Sequence, residues 1–254
     1  MYGLNLQRVV ATHRYPAHIT RSYSASPQQP TQKLDGSSNP QADILAHLPD
    51  LSELAAHLNT TFSPLQFPPE LAARILTHQS HKHAAISSNT RLSFIGRRVL
   101  STYLMLFLHS NPEINEGFDY ELMTERALNT YTLGEYVGPK WGLPSVMKWR
   151  PVGLDEKFDV RDALRLGREA SRSIGLYKVA GTTVEAVVGG VFHQFGGNTA
   201  HRLFHTRLLP HILLPGQPEG LHDAFHGHAY KICQQMGGLQ ASLEAPDSQD
   251  SSNR

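Results

Sequence analysis

Hydrophobic residues recur at spacings of three and four along most of the chain from Ile44 onward. This spacing is the period of an amphipathic α-helix, and the alternation typical of β-strands is absent from the sequence. Clusters of Pro and Gly interrupt the pattern at the places where helices would end. The pattern predicts an all-α protein with helices over 68–79, 90–109, 119–137, 159–174, 179–195, 198–213 and 221–236.

The two ends of the chain differ in composition from its centre. Residues 24–42 are rich in Ser, Pro, Gln and Gly, which bury too little apolar surface to offset the entropy of ordering, so we expect a flexible linker. Hydrophobic spacing predicts helical extensions over 43–67 and 214–241. The polar, acidic segment 242–254 is expected to be a disordered tail.

Residues 1–34 contain no Asp or Glu but carry four cationic residues, Arg8, Arg14, Arg21 and Lys33. Together with many Ser, Thr and Tyr, this composition is typical of a mitochondrial transit peptide. The run from Arg21 to Ser24 resembles processing sites of fungal mitochondrial precursors, which implies a transit peptide over 1–23 and a location in the mitochondrial matrix. A disordered basic tail is the alternative. Cleavage would change the formal net charge from +1 to −2, so overall basicity gives no argument for RNA binding.

The composition excludes several classes of protein. With 254 residues, 40% of them hydrophobic, the chain can bury one sizeable core, but no apolar run approaches the roughly 20 residues that cross a bilayer. Cys233 is the single cysteine, so no internal disulfide or cysteine zinc cluster can form. Phosphate-binding Gly-rich loops and nucleophile elbows are also missing. The chain has fifteen histidines, so the crowding of His222, His226 and His228 favours surface residues over metal ligands.

Three segments carry short motifs at a characteristic spacing. Leu76–Ser80 reads Leu-Thr-His-Gln-Ser, Asn89–Leu100 reads Asn-Thr-Arg-Leu-Ser-Phe-Ile-Gly-Arg-Arg-Val-Leu, and Thr182–Gly190 reads Thr-Thr-Val-Glu-Ala-Val-Val-Gly-Gly. They resemble, in the same order, the Leu-Thr-His-Lys-Ser, Asn-Glu-Arg-Leu-Glu-Phe-Leu-Gly-Asp-Ala-Val-Leu and Asp-Thr-Phe-Glu-Ala-Leu-Ile-Gly-Ala segments of the ribonuclease III family. The resemblance covers about 68–213 and implies a ribonuclease III endonuclease-like helical domain.

The family's chemistry requires magnesium held by carboxylates, because a hard cation prefers oxygen ligands. The resemblance places the four family carboxylates at Ser93, Arg97, Thr182 and Glu185, where only the last is still acidic. The formal charge of these positions is therefore 0 instead of −4. A magnesium ion about 4 Å from the Arg97 guanidinium would be repelled by roughly 8 kcal/mol at an effective dielectric of about 20. We therefore expect no metal, no other cofactor and no catalysis.

Spacing places residues 93 and 97 on one helix face, and 182 and 185 on another. If the fold brings these faces together, Arg97 can replace the lost cation. We predict an Arg97–Glu185 ion pair bridged by the hydroxyl of Ser93 or Thr182. The alternative is that Glu185 is an ordinary surface carboxylate.

Two features of the sequence indicate partners. The resemblance places Phe94 where the family has an aromatic side chain inserted into a partner subunit, and Gly96 where two helices approach closely; the alternative is that Phe94 belongs to the core. Four arginines, spaced to form one stripe on the predicted helix 159–174, suit the RNA phosphate backbone: Arg161, Arg165, Arg168 and Arg172. A face of salt bridges with nearby acids is the alternative.

The whole chain resembles the ribonuclease III-like structural proteins of the fungal mitochondrial large ribosomal subunit. It combines a targeting segment, a degenerate site and too little sequence after residue 213 for the double-stranded-RNA-binding domain of the bacterial enzymes. The resemblance implies contacts with large-subunit rRNA and other large-subunit ribosomal proteins, and a hetero- or homodimer. Two alternatives remain: a subunit of a mitochondrial double-stranded RNA endonuclease whose partner is active, and an RNA-processing or assembly factor.

Overall fold

The computed structural model describes residues 51–85, 87–112, 114, 117–153, 162 and 165–244. The chain divides into two units, Met1–Ser37 and Ser38–Arg254, and every described residue belongs to the second. The transit peptide and linker predicted above, most of the predicted tail and Arg161 lie outside the described residues.

Helices account for most of the described structure. Their bounds are α1 Leu51–Thr61, α2 Pro69–Leu76, α3 Thr90–His109, α4 Tyr120–Ala127, α5 Thr130–Thr132, α6 Arg168–Ser173, α7 Leu176–Leu203 and α8 His226–Gln235. Wider π-helical turns continue two of them, Leu133–Val137 after α5 and Phe204–Leu208 after α7. Within the described ranges the only strand-like pairing is a single parallel bridge between Thr77 and Lys148. The all-α prediction is therefore confirmed, and α3 has the bounds predicted for it.

Three predicted helices differ from the structure in informative ways. The stretch 119–137 breaks at Leu128, because the Asn129 side chain accepts a hydrogen bond from the backbone N–H of Tyr131 at 2.9 Å and starts a new helix. The stretches 179–195 and 198–213 are joined in α7, where Gly196, with φ 87°, produces a kink at the predicted boundary. The described part of 159–174 becomes α-helical only at Arg168, since Gly167 is extended, with ψ 164°.

Helix α7 lies at the centre of the fold, and glycines let two other helices approach its backbone. A Cβ atom at Gly96 of α3 would lie 1.7 Å from the carbonyl oxygen of Glu185, and one at Gly189 would lie 2.0 Å from that of Leu92. The π-helical turn after α5 makes a similar crossing through Gly134, whose Cβ would lie 1.8 Å from the carbonyl oxygen of Tyr177. The predicted close approach at Gly96 is confirmed. These crossings bring α3, α5 and α7 together around one site.

The hydrophobic core surrounds the same crossing. Val184, Val187 and Val188 of α7 are fully buried beside Leu100 and Leu104 of α3. Fully burying one such side chain contributes about 1.5–3 kcal/mol, so this packing fixes the relative position of the two helices. Among the described residues, no helix combines the length and the hydrophobicity needed to cross a bilayer.

Candidate functional site at the α3–α7 crossing

Glu185 lies in the middle of α7 and is almost completely buried, with 2% of its side chain exposed. Arg97 reaches it from α3, and its Nη2 atom donates to Oε1 at 3.0 Å and to Oε2 at 3.3 Å. The Arg97 side chain itself remains 61% exposed. The predicted Arg97–Glu185 ion pair is confirmed, and the alternative of a surface carboxylate is wrong.

A third group completes the site. The hydroxyl of Thr130, the first residue of α5, donates to Oε1 of Glu185 at 3.2 Å and accepts from Nη2 of Arg97 at 3.0 Å. Thr130 is 55 positions from Glu185 in sequence, and no motif in the chain marked it. The carboxylate is thus held by a cation from one helix and a hydroxyl from another.

The predicted bridging hydroxyls are wrong. Ser93 donates to the backbone carbonyl of Thr90 at 3.1 Å, and Thr182 donates to that of Lys178 at 3.0 Å. Short hydroxyl side chains on a helix readily bond to a carbonyl three or four residues earlier, which turns them away from a neighbouring helix. Thr130 occupies the bridging role because it lies at the start of α5, next to the α7 backbone.

Burial dominates the electrostatics of the site. Desolvation raises the pKa of Glu185, and the charge of Arg97 with the hydrogen bonds from Arg97 and Thr130 opposes that rise. The ion pair is therefore a compensation for a buried charge, and the carboxylate has no strong affinity left for a further cation.

The four positions do not fit the magnesium ion that the resemblance implies for active enzymes. Glu185 already accepts three hydrogen bonds, Arg97 brings a positive charge to a ligand position, and the hydroxyls of Ser93 and Thr182 donate to their own helices. Hard divalent cations require several anionic or carbonyl oxygens converging on one point. Among the described residues, no group of three or more His, Cys, Asp or Glu side chains is arranged to hold a metal.

Phe94 lies on the opposite side of α3 from the core and is 63% exposed, so the alternative that it is a core residue is wrong. It borders an apolar depression of about 350 Å³ that is also lined by Tyr103 and Phe192. The guanidinium carbon of Arg98 lies 5.4 Å from the centre of its ring. An exposed aromatic at the edge of an apolar depression is typical of interfaces, and its place in a subunit interface stays a prediction.

The predicted arginine stripe is divided by the structure. Arg165 lies before α6 and pairs with Asp162 at 3.1 Å. Arg168 donates to Glu135 at 3.1 Å, and Arg172 lies over the ring of Tyr131, 5.1 Å from its centre. A single four-arginine helix face is therefore wrong for the described members, since α6 begins only at Arg168. RNA contact by these residues stays a prediction.

The histidines form a separate cluster. His205 is buried in the π-helical turn after α7, where desolvation, with smaller contributions from His201 and His228, lowers its pKa to about 3. Phe107 packs against His205 and His228, with ring centroids 5.9 and 5.3 Å apart. The described structure therefore places His205 and His228 in the packing between α3, α7 and α8, and no pattern in the sequence indicates that His205 is buried.

Comparison with known proteins gives consistent results. A family model described as Ribonuclease-III-like matches residues 68–212. Similar relatives are Ribonuclease 3 of Leifsonia xyli, 33% identical over 142 residues, and Ribonuclease 3 of Dinoroseobacter shibae, 30% identical over 138 residues. Each match covers 53% of this chain and 51% or 52% of the relative, so the chain spans about half the length of these proteins.

Two solved structures of the nuclease domain of ribonuclease III from Campylobacter jejuni are also similar. They are 17% and 18% identical, cover 57% of this chain and 87% and 89% of their own, and have TM-scores of 0.44 and 0.43. One of them is described as showing structural flexibility in the region involved in dimer formation.

Proposed function

The chain belongs to the Ribonuclease-III-like family, and we propose that it is a structural protein of the mitochondrial large ribosomal subunit without nuclease activity. In this proposal it contacts large-subunit rRNA and neighbouring ribosomal proteins, and pairs with a second ribonuclease III-like subunit. The observation that supports it most directly is the Arg97–Glu185–Thr130 network, which lies at positions where the sequence resemblance predicts the magnesium-binding carboxylates of active relatives.

The loss of activity follows from the chemistry of that network. Phosphodiester hydrolysis needs an activated water and stabilisation of the charge that develops on the phosphate, and metal ions supply both in carboxylate sites. At these four positions the one carboxylate, that of Glu185, is neutralised by the Arg97 guanidinium. A guanidinium can hold a phosphate by two hydrogen bonds, but it has no proton acceptor with which to activate water. The residues thus favour holding RNA over cutting it.

The mitochondrial part of the proposal is supported by the acid-free segment 1–34 with its arginines. N-terminal sequencing of the protein isolated from mitochondria should give a start near Ser24. An intact Met1 would contradict import with cleavage.

The central experiment is sedimentation of mitochondrial extract through a sucrose gradient, with the protein detected by a C-terminal tag. The protein should follow the large subunit, and should still do so after magnesium depletion separates the subunits. A peak among free proteins, or only with precursor particles, would support the assembly-factor alternative. Magnesium-dependent cleavage of duplex RNA by the purified pair, lost when the partner's acidic residues are replaced, would support the endonuclease alternative.

A further inference from the structure

Acidic residues are missing from three segments that the fold brings close together. Residues 71–112 contain five Lys or Arg and no Asp or Glu, 136–154 contain three and none, and 170–184 contain two and none. A mixture of both signs is the ordinary composition of a surface, since unmixed charge repels itself. A run of 42 residues with cations alone points to a surface that meets an anionic partner.

Backbone pairing joins the first two of these segments. The N–H of Lys148 donates to the carbonyl of Leu76 at 2.7 Å, and the N–H of His78 donates to the carbonyl of Lys148 at 2.8 Å. The N–H of Arg150 then donates to the hydroxyl of Ser80 at 3.0 Å. These bonds fix the loop between α2 and α3 beside the segment 147–150.

Among the described residues, the charged groups that act on this loop are cationic. Burial lowers the pKa of His78 and His81, and neighbouring groups lower it further: Lys178 for His78, and His83, Lys148 and Lys82 for His81. Lys82 and Lys178 are exposed. Neither forms an ion pair with a described residue, in contrast to Arg165 and Arg168.

On its other side the loop borders a polar cavity of about 310 Å³. Arg74 of α2 and Arg91 in the first turn of α3 line it together with Ser87 and Ser88. The Ser87 hydroxyl is buried and has no hydrogen-bond partner among the described residues. The side chain of Asn89 donates to Ile75 and Thr183 and does not cap α3.

We propose that the basic loop surface, defined as Arg74, Lys82, Arg91, Lys148 and Lys178, docks the phosphate backbone of RNA, with one phosphate in the cavity between Arg74 and Arg91. This inference rests on the proposed function and names the surface through which it would act. Two guanidiniums from different helices and the serine hydroxyls beside them are together a donor set for a phosphate oxyanion. RNA fits better than an acidic protein because phosphate contacts need charge and donors without an apolar centre.

The test measures RNA binding by the full chain as a function of salt. The probe is a fluorescein-labelled RNA hairpin, and the variants are Arg74→Gln/Arg91→Gln and Lys82→Gln/Lys178→Gln. Each lost phosphate contact makes the slope of log K against log salt less negative by about 0.7–0.9, so each double variant should shift it by about 1.4–1.8. At physiological salt the affinity should fall by at least 10-fold. Circular dichroism melting checks that each variant is folded.

A matched control removes the same charge from two exposed cations outside the acid-free segments and the arginine stripe, as Arg126→Gln/Lys231→Gln. The inference requires a smaller change in slope for this control than for either loop variant. An unchanged slope in both loop variants, or an equal change in the control, would overturn it. So would binding to vesicles containing anionic lipid that depends on the same four residues while hairpin binding does not.

Sedimentation separates failure of this inference from failure of the proposed function. Loop variants that leave the large-subunit peak while the wild type stays there would support both. If the loop variants sediment with the large subunit as well as the wild type does, the inference fails and the proposed function stands. If the wild type itself sediments elsewhere, the proposed function fails, and the hairpin titration alone decides whether the loop surface binds RNA.

Discussion

Replacing Arg97 with methionine removes the counter-charge of a buried carboxylate while keeping most of the side-chain volume. At an effective dielectric of about 20, unit charges about 4 Å apart attract by about 4 kcal/mol. Breaking a buried pair costs about 3–5 kcal/mol, but Arg97 is 61% exposed, so water screens part of that loss. We expect Arg97→Met to lower the free energy of unfolding by roughly 1–3 kcal/mol.

The pH dependence of this loss of stability shows whether the unpaired Glu185 carboxylate causes it. Burial raises the pKa of Glu185 in the folded protein. Protonation of Glu185 therefore stabilises the fold at a pH below the pKa that this group has in the unfolded chain, and this stabilisation is lost as the pH rises through the pKa of the folded state. Arg97 is the largest influence opposing that rise, so its removal raises the folded pKa further. The penalty of Arg97→Met should therefore be small near pH 5 and larger near pH 8.

The assay is denaturant unfolding at both pH values, followed by circular dichroism. Arg98→Met is the matched control, because Arg98 is the adjacent, exposed arginine and its guanidinium lies over the Phe94 ring, 5.4 Å from the ring centre. Adding Glu185→Gln to Arg97→Met should recover most of the lost stability, since the unpaired charge is gone. A penalty of Arg97→Met that is independent of pH and is not relieved by Glu185→Gln would refute the reasoning.

Three further predictions follow from the helix crossing and its surroundings. Gly96→Ala should destabilise the fold by at least about 3 kcal/mol, because its Cβ would meet the Glu185 carbonyl. The control is Gly227→Ala, where nothing lies within 4 Å of the added Cβ; it should be neutral or stabilising by up to about 1 kcal/mol in thermal melts. Phe94→Asp should shift the paired subunits to monomers in analytical ultracentrifugation while leaving the circular dichroism spectrum unchanged. The triple variant Ser93→Glu, Arg97→Asp and Thr182→Asp restores the carboxylates of the family motif. It should show magnesium-dependent stabilisation in thermal melts.

Each of these has a contradicting result. Equal stability of the two glycine variants would mean that α3 and α7 do not touch through Gly96. Unfolding by Phe94→Asp would mean that its ring is buried within the subunit. A triple variant whose melting temperature does not change with magnesium would mean that these positions do not correspond to the family's metal ligands.

The sequence predicts the helical scaffold well where hydrophobic spacing is unbroken. Helix α3 has the predicted bounds because its apolar residues keep one period for twenty positions without a proline. The described part of 159–174 is α-helical only from Arg168, because the backbone of Gly167 is extended, and the spacing of charges alone does not stabilise a helix.

The sequence predicts the site only in part. The Arg97–Glu185 pair could be foreseen because two motifs placed both residues at ligand positions, and a buried charge needs a partner. Thr130 could not, because its hydroxyl becomes relevant only when α5 crosses α7. The basic loop surface is similar: the acid-free segments are visible in the sequence, but nothing in it shows that residues 77–83 pair with 147–150.

The glycine contacts between α3 and α7 have a consequence for how such a protein can evolve. Because Gly96 and Gly189 let backbone meet backbone, the spacing of the helices does not depend on the side chains that point into the old ligand positions. Substitutions at 93, 97 and 182 can therefore accumulate without moving the helices. Under the proposed function, this architecture would tolerate a loss of catalysis, and the shape of the crossing would stay available for assembly.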